Sequence, residues 1–259
     1  MTDLYPELDE LIHYIHAHIY EPLTLSQLSR YAAYSPFHFT RIFKQRLGLS
    51  PQHFISSLRL QKAKDLLLTT PFPIREIAEE IGQQSLGTFT TRFTQRVGMT
   101  PSVFRHSTMF ADDHLHQLAN LEQWPTPGIV SHIYPNLTGT IHSAYSFEGV
   151  ILIGLFTKPI PEGLPKYGTL LRSLGDFCIP SIQPGTYYLM ATSVAWGMES
   201  REFLLPHHTL RTRSKMPIIV KMSEPIPDQN VELYPPRIDD PPILISLSLL
   251  MKRFLNRPQ

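Results

Sequence analysis

Apolar residues recur at helical spacing through the first part of the chain: Leu8, Leu11, Ile12, Ile15 and Ile19; then Leu25, Leu28, Tyr31 and Ala32; then Phe39, Ile42, Phe43 and Leu47. Steps of three and four place each set on one face of a helix. Further stripes run through Phe54, Leu58, Ala63, Leu66 and Leu67, then Ile74, Ile77, Ala78 and Ile81, then Phe89, Phe93 and Val97. Start signals stand where helices should begin. Thr24 with Gln27 fits a capping box, and Ser35-Pro36, Ser50-Pro51 and Thr100-Pro101 each put a hydroxyl at the N-cap and proline at the first helical position. The pattern predicts an all-α domain of about seven short helices over residues 1–107.

That domain repeats itself. Phe39-Thr40-x-x-Phe43-x-Gln45-Arg46-x-Gly48-x-Ser50-Pro51-x-x-Phe54 returns, offset by 50, as Phe89-Thr90-x-x-Phe93-x-Gln95-Arg96-x-Gly98-x-Thr100-Pro101-x-x-Phe104. Upstream the offset is 49, with Leu25, Leu28 and Ala32 matching Ile74, Ile77 and Ile81, so the second copy carries one more residue between its two helices. Each copy reads as a short helix, a tight turn and a second helix closed by glycine, the layout of a helix-turn-helix.

From Pro125 the period changes to short runs rich in Val, Ile, Tyr, Thr and Phe, bounded by Pro and Gly: 129–134, 137–142, 150–157, 176–179, 186–195, 218–222 and 230–234. Runs at that spacing predict an all-β sandwich over 129–259 that ends in a short helix. Residues 108–128 read as a linker, helical and polar from Thr108 to Trp124. Proline and glycine mark the same division, since residues 1–107 hold 7 of the 24 prolines and 4 of the 13 glycines. The fold class is thus α followed by β, in two domains.

Charge changes the picture only locally. The net charge is +1, and residues 1–107 carry 11 basic against 9 acidic residues, so a histone-like or arm-like polycation is excluded. Yet Pro36 to Leu47 holds Arg41, Lys44 and Arg46 and no acid. With Phe39, Phe43 and Leu47 turned inward, this helix presents Phe37, Thr40, Arg41, Lys44 and Gln45 outward. Such side chains suit thymine methyls, guanine edges and phosphates in a major groove. Two hairpins that merely pack together, or that bind protein, are the alternatives at this point.

The spaced residues resemble the arabinose-operon-regulator (AraC/XylS) family of bacterial transcription activators over about residues 8–106. The signature runs through Leu25, Leu28, Ser29, Ala32, Tyr34, Ser35, Phe39, Arg41, Phe43, Lys44 and Gly48, and then Arg59, Leu60, Ala63, Leu66 and Leu67. It continues through Ile74, Ile77, Ala78, Ile81 and Gly82 and closes with Phe93, Gly98, Thr100, Pro101 and Arg105. The resemblance implies two helix-turn-helix units joined by a central helix, here about Gln52 to Leu68, whose recognition helices enter successive major grooves of double-stranded DNA. It implies base contacts from Phe37, Thr40 and Arg41 in the first unit and from Thr88 and Thr91 in the second. Backbone contacts would come from Ser35, Lys44, Gln45, Arg92 and Gln95. RNA polymerase is an implied partner.

The second unit departs from the family. Gly82 is followed by Gln83 where the family has Phe, and Thr91 stands where the first unit has Arg41, with Arg92 displaced by one position, or about 100° around a helix. Gly87 offers no side chain. The second unit is therefore expected to supply affinity more than discrimination. Arg59 and Ala63 read as structural, an ion pair and a close helix contact.

In the second half, Leu137 to Ile141, Gly149 to Leu155, and Gly175 to Ala191 with its Pro184-Gly185-Thr186-Tyr187 phrase resemble the prealbumin-like sandwich of the carboxypeptidase regulatory domain. The resemblance bears on fold and is silent on function; the domain is expected to sense a small-molecule effector or contact a partner, with a plain structural or dimerisation module as the alternative. Cys178 is the one cysteine, so no internal disulfide forms, and Met1 to Glu7 lacks a secretory signal, which together suggest the cytoplasm. Ile243 to Met251 is too short to span a bilayer. No phosphate loop, Gly-x-Ser-x-Gly elbow or His-Glu-x-x-His motif is present, so an enzyme is not expected. His13, His16, His18, His207 and His208 lack zinc-ligand spacing, and neither metal nor cofactor is expected. Asp239-Asp240 before Pro241-Pro242 reads as a turn and helix entry.

Overall fold

The computed structural model describes residues 6–124, 134–222 and 224–257. Its contacts divide the chain into two compact units, Met1–Arg105 with Arg237–Leu244, and His106–Pro236 with Ile245–Gln259.

The first unit is helical, as the periodicity predicts: α1 (Pro6–Ala17), α2 (Leu25–Tyr31), α3 (Pro36–Leu47), α4 (Pro51–Thr69), α5 (Ile74–Glu80), α6 (Leu86–Val97) and α7 (Pro101–Arg105). Thr24 and Gln27 form the reciprocal capping box. Ser35, Ser50 and Ser85 each accept the amide three residues on, at 3.3–3.4 Å. Each satisfies a first-turn amide that has no partner within the helix. Ser85 carries no following proline and is visible in sequence only as the offset-50 partner of Ser35.

The two short helices α2 and α5 end alike. Tyr34 N donates to Ser29 O and Gln83 N to Ala78 O, both at 2.8 Å, each reaching back five residues across a left-handed residue. In the second copy that residue is Gly82 (φ 76°), and in the first it is Ala33 (φ 56°). A Cβ makes this conformation costly, so the first turn holds strain that the second avoids.

Aromatic rings repeat as faithfully as the sequence does. Phe39, Phe43 and Phe54 are fully buried, with successive ring centroids 5.5 and 5.8 Å apart. Phe89, Phe93 and Phe104 are fully buried with spacings of 5.6 and 5.7 Å. Each trio ties its second helix, α3 or α6, to the helix that follows. Arg59 of α4 donates to the Ile19 and Glu21 carbonyls at 3.0 and 2.6 Å, binding the chain beyond α1. Carbonyls take the place of the carboxylate partner expected from sequence.

Residues 237–244 also belong to this unit. Lys64 of α4 is 0% exposed; its ammonium donates to the Ile243 carbonyl at 2.9 Å and lies 5.5 Å from the Phe104 ring centroid. His16 of α1 donates through Nε2 to the Ile238 carbonyl. Burial holds its imidazole below the ordinary histidine range, and that hydrogen bond opposes the shift.

The second unit holds two sheets. One has the order β4-β1-β8, with β1 (Leu137–Ser143) antiparallel to β4 (Gly175–Ile179) and parallel to β8 (Gln229–Leu233). The other has the order β3-β2-β5-β6, formed by β3 (Tyr167–Leu171), β2 (Gly149–Phe156), β5 (Gly185–Ala195) and β6 (Arg211–Arg213), with β7 (Ile218–Val220) also paired to β5. Ile151, Ile153, Leu155, Leu189 and Ala191 from one sheet share a core with Leu137, Ile141, Phe177, Ile179, Val231 and Leu233 from the other. The sheets therefore face each other across a common apolar layer. Every residue of β2 is buried, so both its faces are covered. Helix α8 (Thr108–Ala119) packs on α10 (Leu247–Leu255), where His114 Nδ1 and Ser248 Oγ are 2.8 Å apart. A short α9 (Ser200–Leu204) packs with both.

Six of the expected strands appear within one or two residues of their predicted bounds. The run at 129–134 lies, save for Tyr134, outside the described residues. The period-2 pattern does not predict strands β3 and β6, nor the apolar spacing helix α9.

Two substitutions test this account. Ala33→Gly should raise unfolding stability by about 0.5–1 kcal/mol through relief of the left-handed strain, measured as a higher urea midpoint; a lower midpoint contradicts the strain. Lys64→Ala should cost about 2–4 kcal/mol by leaving a void and an abandoned carbonyl, and an unchanged midpoint contradicts a structural role for the buried ammonium.

Candidate nucleic-acid interface

The helix-turn-helix units are α2 with α3 and α5 with α6. The connecting turns span residues 32–35 and 81–85, so the extra residue inferred from the offsets sits in the second turn. In each unit the buried phenylalanines, four residues apart, fix the rotation of the second helix about its axis.

On α3 this rotation leaves Phe37 84% exposed, with Arg41, Lys44 and Gln45 also at the surface. Thr40 is half-buried, and its hydroxyl donates to the Pro36 carbonyl at 2.8 Å. Ser35 uses its side-chain oxygen as the cap. Arg46 turns the other way and bonds Asp9 of α1 at 2.6 Å. The three basic residues of α3 thus have different fates. Arg46 is neutralised by a carboxylate, Arg41 donates to His38 Nδ1 at 3.2 Å, and Lys44 has no partner among the described residues. Two cations therefore remain on the outward face with no acid on the helix to offset them.

On α6 the same rotation exposes Leu86, Gly87, Thr88, Thr91, Arg92 and Gln95. Arg92 donates to Gln83 Oε1 at 3.2 Å, in the turn before the helix. Arg96, the repeat of Arg46, reaches Ser56 of α4 at 3.2 Å and is likewise an anchor. At Gly87 a Cβ would meet nothing closer than the Ser85 hydroxyl at 3.9 Å. Packing does not demand glycine there, although glycine weakens a helix. The structure thus brings Phe37, Arg41, Lys44 and Gln45 together on one face of α3, and Thr88, Thr91, Arg92 and Gln95 together on α6. Helical phase alone does not mark the exposed Leu86 or the half-buried His38 beside Arg41; apolar Leu86 reads there as an ordinary first-turn residue.

Among the described residues no group of three or more His, Cys, Asp or Glu could hold a metal ion, and no helix is long and apolar enough to cross a membrane. His13 bonds the Asp9 carbonyl and His18 the Glu21 carboxylate, each at 2.8 Å.

A family model described as a helix-turn-helix domain matches residues 28–107, so this stretch of the chain is a helix-turn-helix domain. Among curated relatives, the uncharacterized HTH-type transcriptional regulator YobQ of Bacillus subtilis is 38% identical over 101 residues, 39% of this chain and 42% of that protein. YtdP of the same organism, with the same description, is 33% identical over 97 residues, 38% of this chain and 13% of that protein. The match thus spans less than half the length of these relatives. Among solved structures, the C-terminal domain of AraT, a response regulator from Geobacillus stearothermophilus, aligns at 34% identity over 41% of this chain and 88% of that one, with a TM-score of 0.38. An AraC-type transcriptional regulator structure from Chromobacterium violaceum aligns at 31% identity over 39% and 91%, with the same TM-score of 0.38.

Proposed function

We propose that this protein is a sequence-specific DNA-binding transcription regulator of the AraC/XylS type, in which α3 and α6 enter successive major grooves of one duplex. The observation that carries the reading is the outward face of α3, where Phe37, Arg41, Lys44 and Gln45 stand exposed on a helix without acid. Arg41 reads a guanine edge, since a guanidinium can donate to O6 and N7 together. Phe37 and the methyl group of Thr40 meet thymine methyls. Lys44 and Gln45, with the Ser35 hydroxyl, hold phosphates.

The second unit contributes differently. Thr88 and Thr91 face the bases, while Arg92 and Gln95 hold the backbone. Bare Gly87 lets the backbone of α6 approach closely without a long side chain to discriminate. Affinity from α6 and specificity from α3 follow. The β unit, whose sheets share one core as in prealbumin-like sandwiches, serves for effector sensing or for contact with a partner such as RNA polymerase. Such a protein works in the cytoplasm.

Arg41→Ala in the full chain should reduce preference for a selected duplex over random DNA by roughly 5- to 150-fold, measured by competition titration, and an unchanged preference contradicts the base contact. Lys44→Ala should weaken binding to all duplexes alike and lower the slope of log affinity against log salt by about one; an unchanged slope contradicts the phosphate contact. Absence of salt-sensitive retention on duplex DNA would instead favour a protein-binding module.

A further inference from the structure

A long arginine on an exposed helix face samples many rotamers, and ordering it on DNA costs conformational entropy unless something has already placed it. On α3 something has. His38 stands one turn before Arg41 on the same helix. Its ring lies 5.0 Å from the Tyr34 ring, centroid to centroid, and its Nδ1 is 3.2 Å from Arg41 Nη2. Tyr34 in turn donates through its hydroxyl to the Glu7 carboxylate of α1. That bond, with a smaller one from the Glu7 amide, holds the carboxyl below the usual range. A chain of contacts thus runs from α1 through the turn to the tip of Arg41. Arginine has donors only, so Nδ1 must be the acceptor and the proton of the neutral ring must sit on Nε2.

We propose that His38 is a positioning residue that holds the Arg41 guanidinium in its base-reading rotamer, so that sequence discrimination depends on a side chain that need not touch DNA. This rests on the base-reading role assigned to Arg41 above. The backbone amide of His38 caps onto Ser35 whatever the side chain, so substitution there leaves the helix start intact. In the second unit Thr88 stands at the matching position and Thr91 at that of Arg41, so there is no guanidinium at that position to hold, and the arginine of that face, Arg92, is bonded to Gln83 in the preceding turn instead.

A double-mutant cycle on the full chain tests this, with competition between random DNA and the duplex recovered from a random pool by the unmodified protein. His38→Ala should lower discrimination about threefold or more when Arg41 is present and have no further effect in the Arg41→Ala background. Thermal midpoint and salt slope should stay unchanged. His38→Asn, which keeps an acceptor at the same distance from the backbone, should restore most of the discrimination. The proposal is overturned if His38→Ala leaves discrimination intact, if it acts equally in both backgrounds, or if asparagine serves no better than alanine. Should Arg41→Ala itself leave discrimination intact, the base-reading role falls, and the positioning role with it.

Discussion

Phe39 and Phe43 must leave water together with Phe54, and Phe89 and Phe93 together with Phe104. Each ring contributes roughly 1.5–3 kcal/mol on burial, so a helix that rolled to expose two of them would forfeit about 3–6 kcal/mol, a large share of the roughly 5–15 kcal/mol a small domain has in net stability. The rotation of α3 and α6 about their own axes is therefore fixed from inside. Whatever stands at positions 37, 41, 44 and 45, or 87, 91, 92 and 95, is presented outward by the core, and bonds such as Arg41 to His38 or Arg92 to Gln83 only orient side chains already placed there. The core decides where the surface chemistry lies.

Because both trios impose the same rotation, the difference between the two faces comes from residue identity and not from geometry. Matching positions carry Phe37 and Gly87, Arg41 and Thr91, Lys44 and Thr94, while Arg46 and Arg96 both turn inward as anchors. Thr94 donates back to the Thr90 carbonyl at 2.7 Å, so the position that carries the Lys44 ammonium in the first unit carries a self-satisfied hydroxyl in the second. Identical scaffolds thus bear unequal surfaces. On the proposed reading, two unequal faces in one polypeptide define an asymmetric DNA site without a palindrome.

Much of this was legible in the sequence, for physical reasons. The helices, their caps and the repeat depend on residues within one or two turns of each other, and local hydrogen bonding leaves a local trace. The aromatic offset of 50 gave the core of both units. By contrast, β3 is five residues interrupted by Gly168, and β6 is Arg-Thr-Arg; each is a strand only because a neighbour supplies its ladder. The parallel pairing of β1 with β8 and the bond from Lys64 to Ile243, 179 residues away, leave no periodic signal. Arg59 shows the same limit. Its structural role could be inferred, but its carbonyl partners lie 40 and 38 residues back along the chain, where no charge pattern marks them. At the interface, exposed side chains could be placed from helical phase, whereas the engagement of Thr40 with Pro36, Arg92 with Gln83 and Arg41 with His38 required coordinates.

The unequal faces are tested most directly by selecting duplexes from a random library with the full chain and measuring how much base preference each position retains. Strong preference should fall in one short block read by α3, flanked about one helical turn away by a block that tolerates most substitutions. Two blocks of equal stringency, or no enriched sequence at all, would contradict the account.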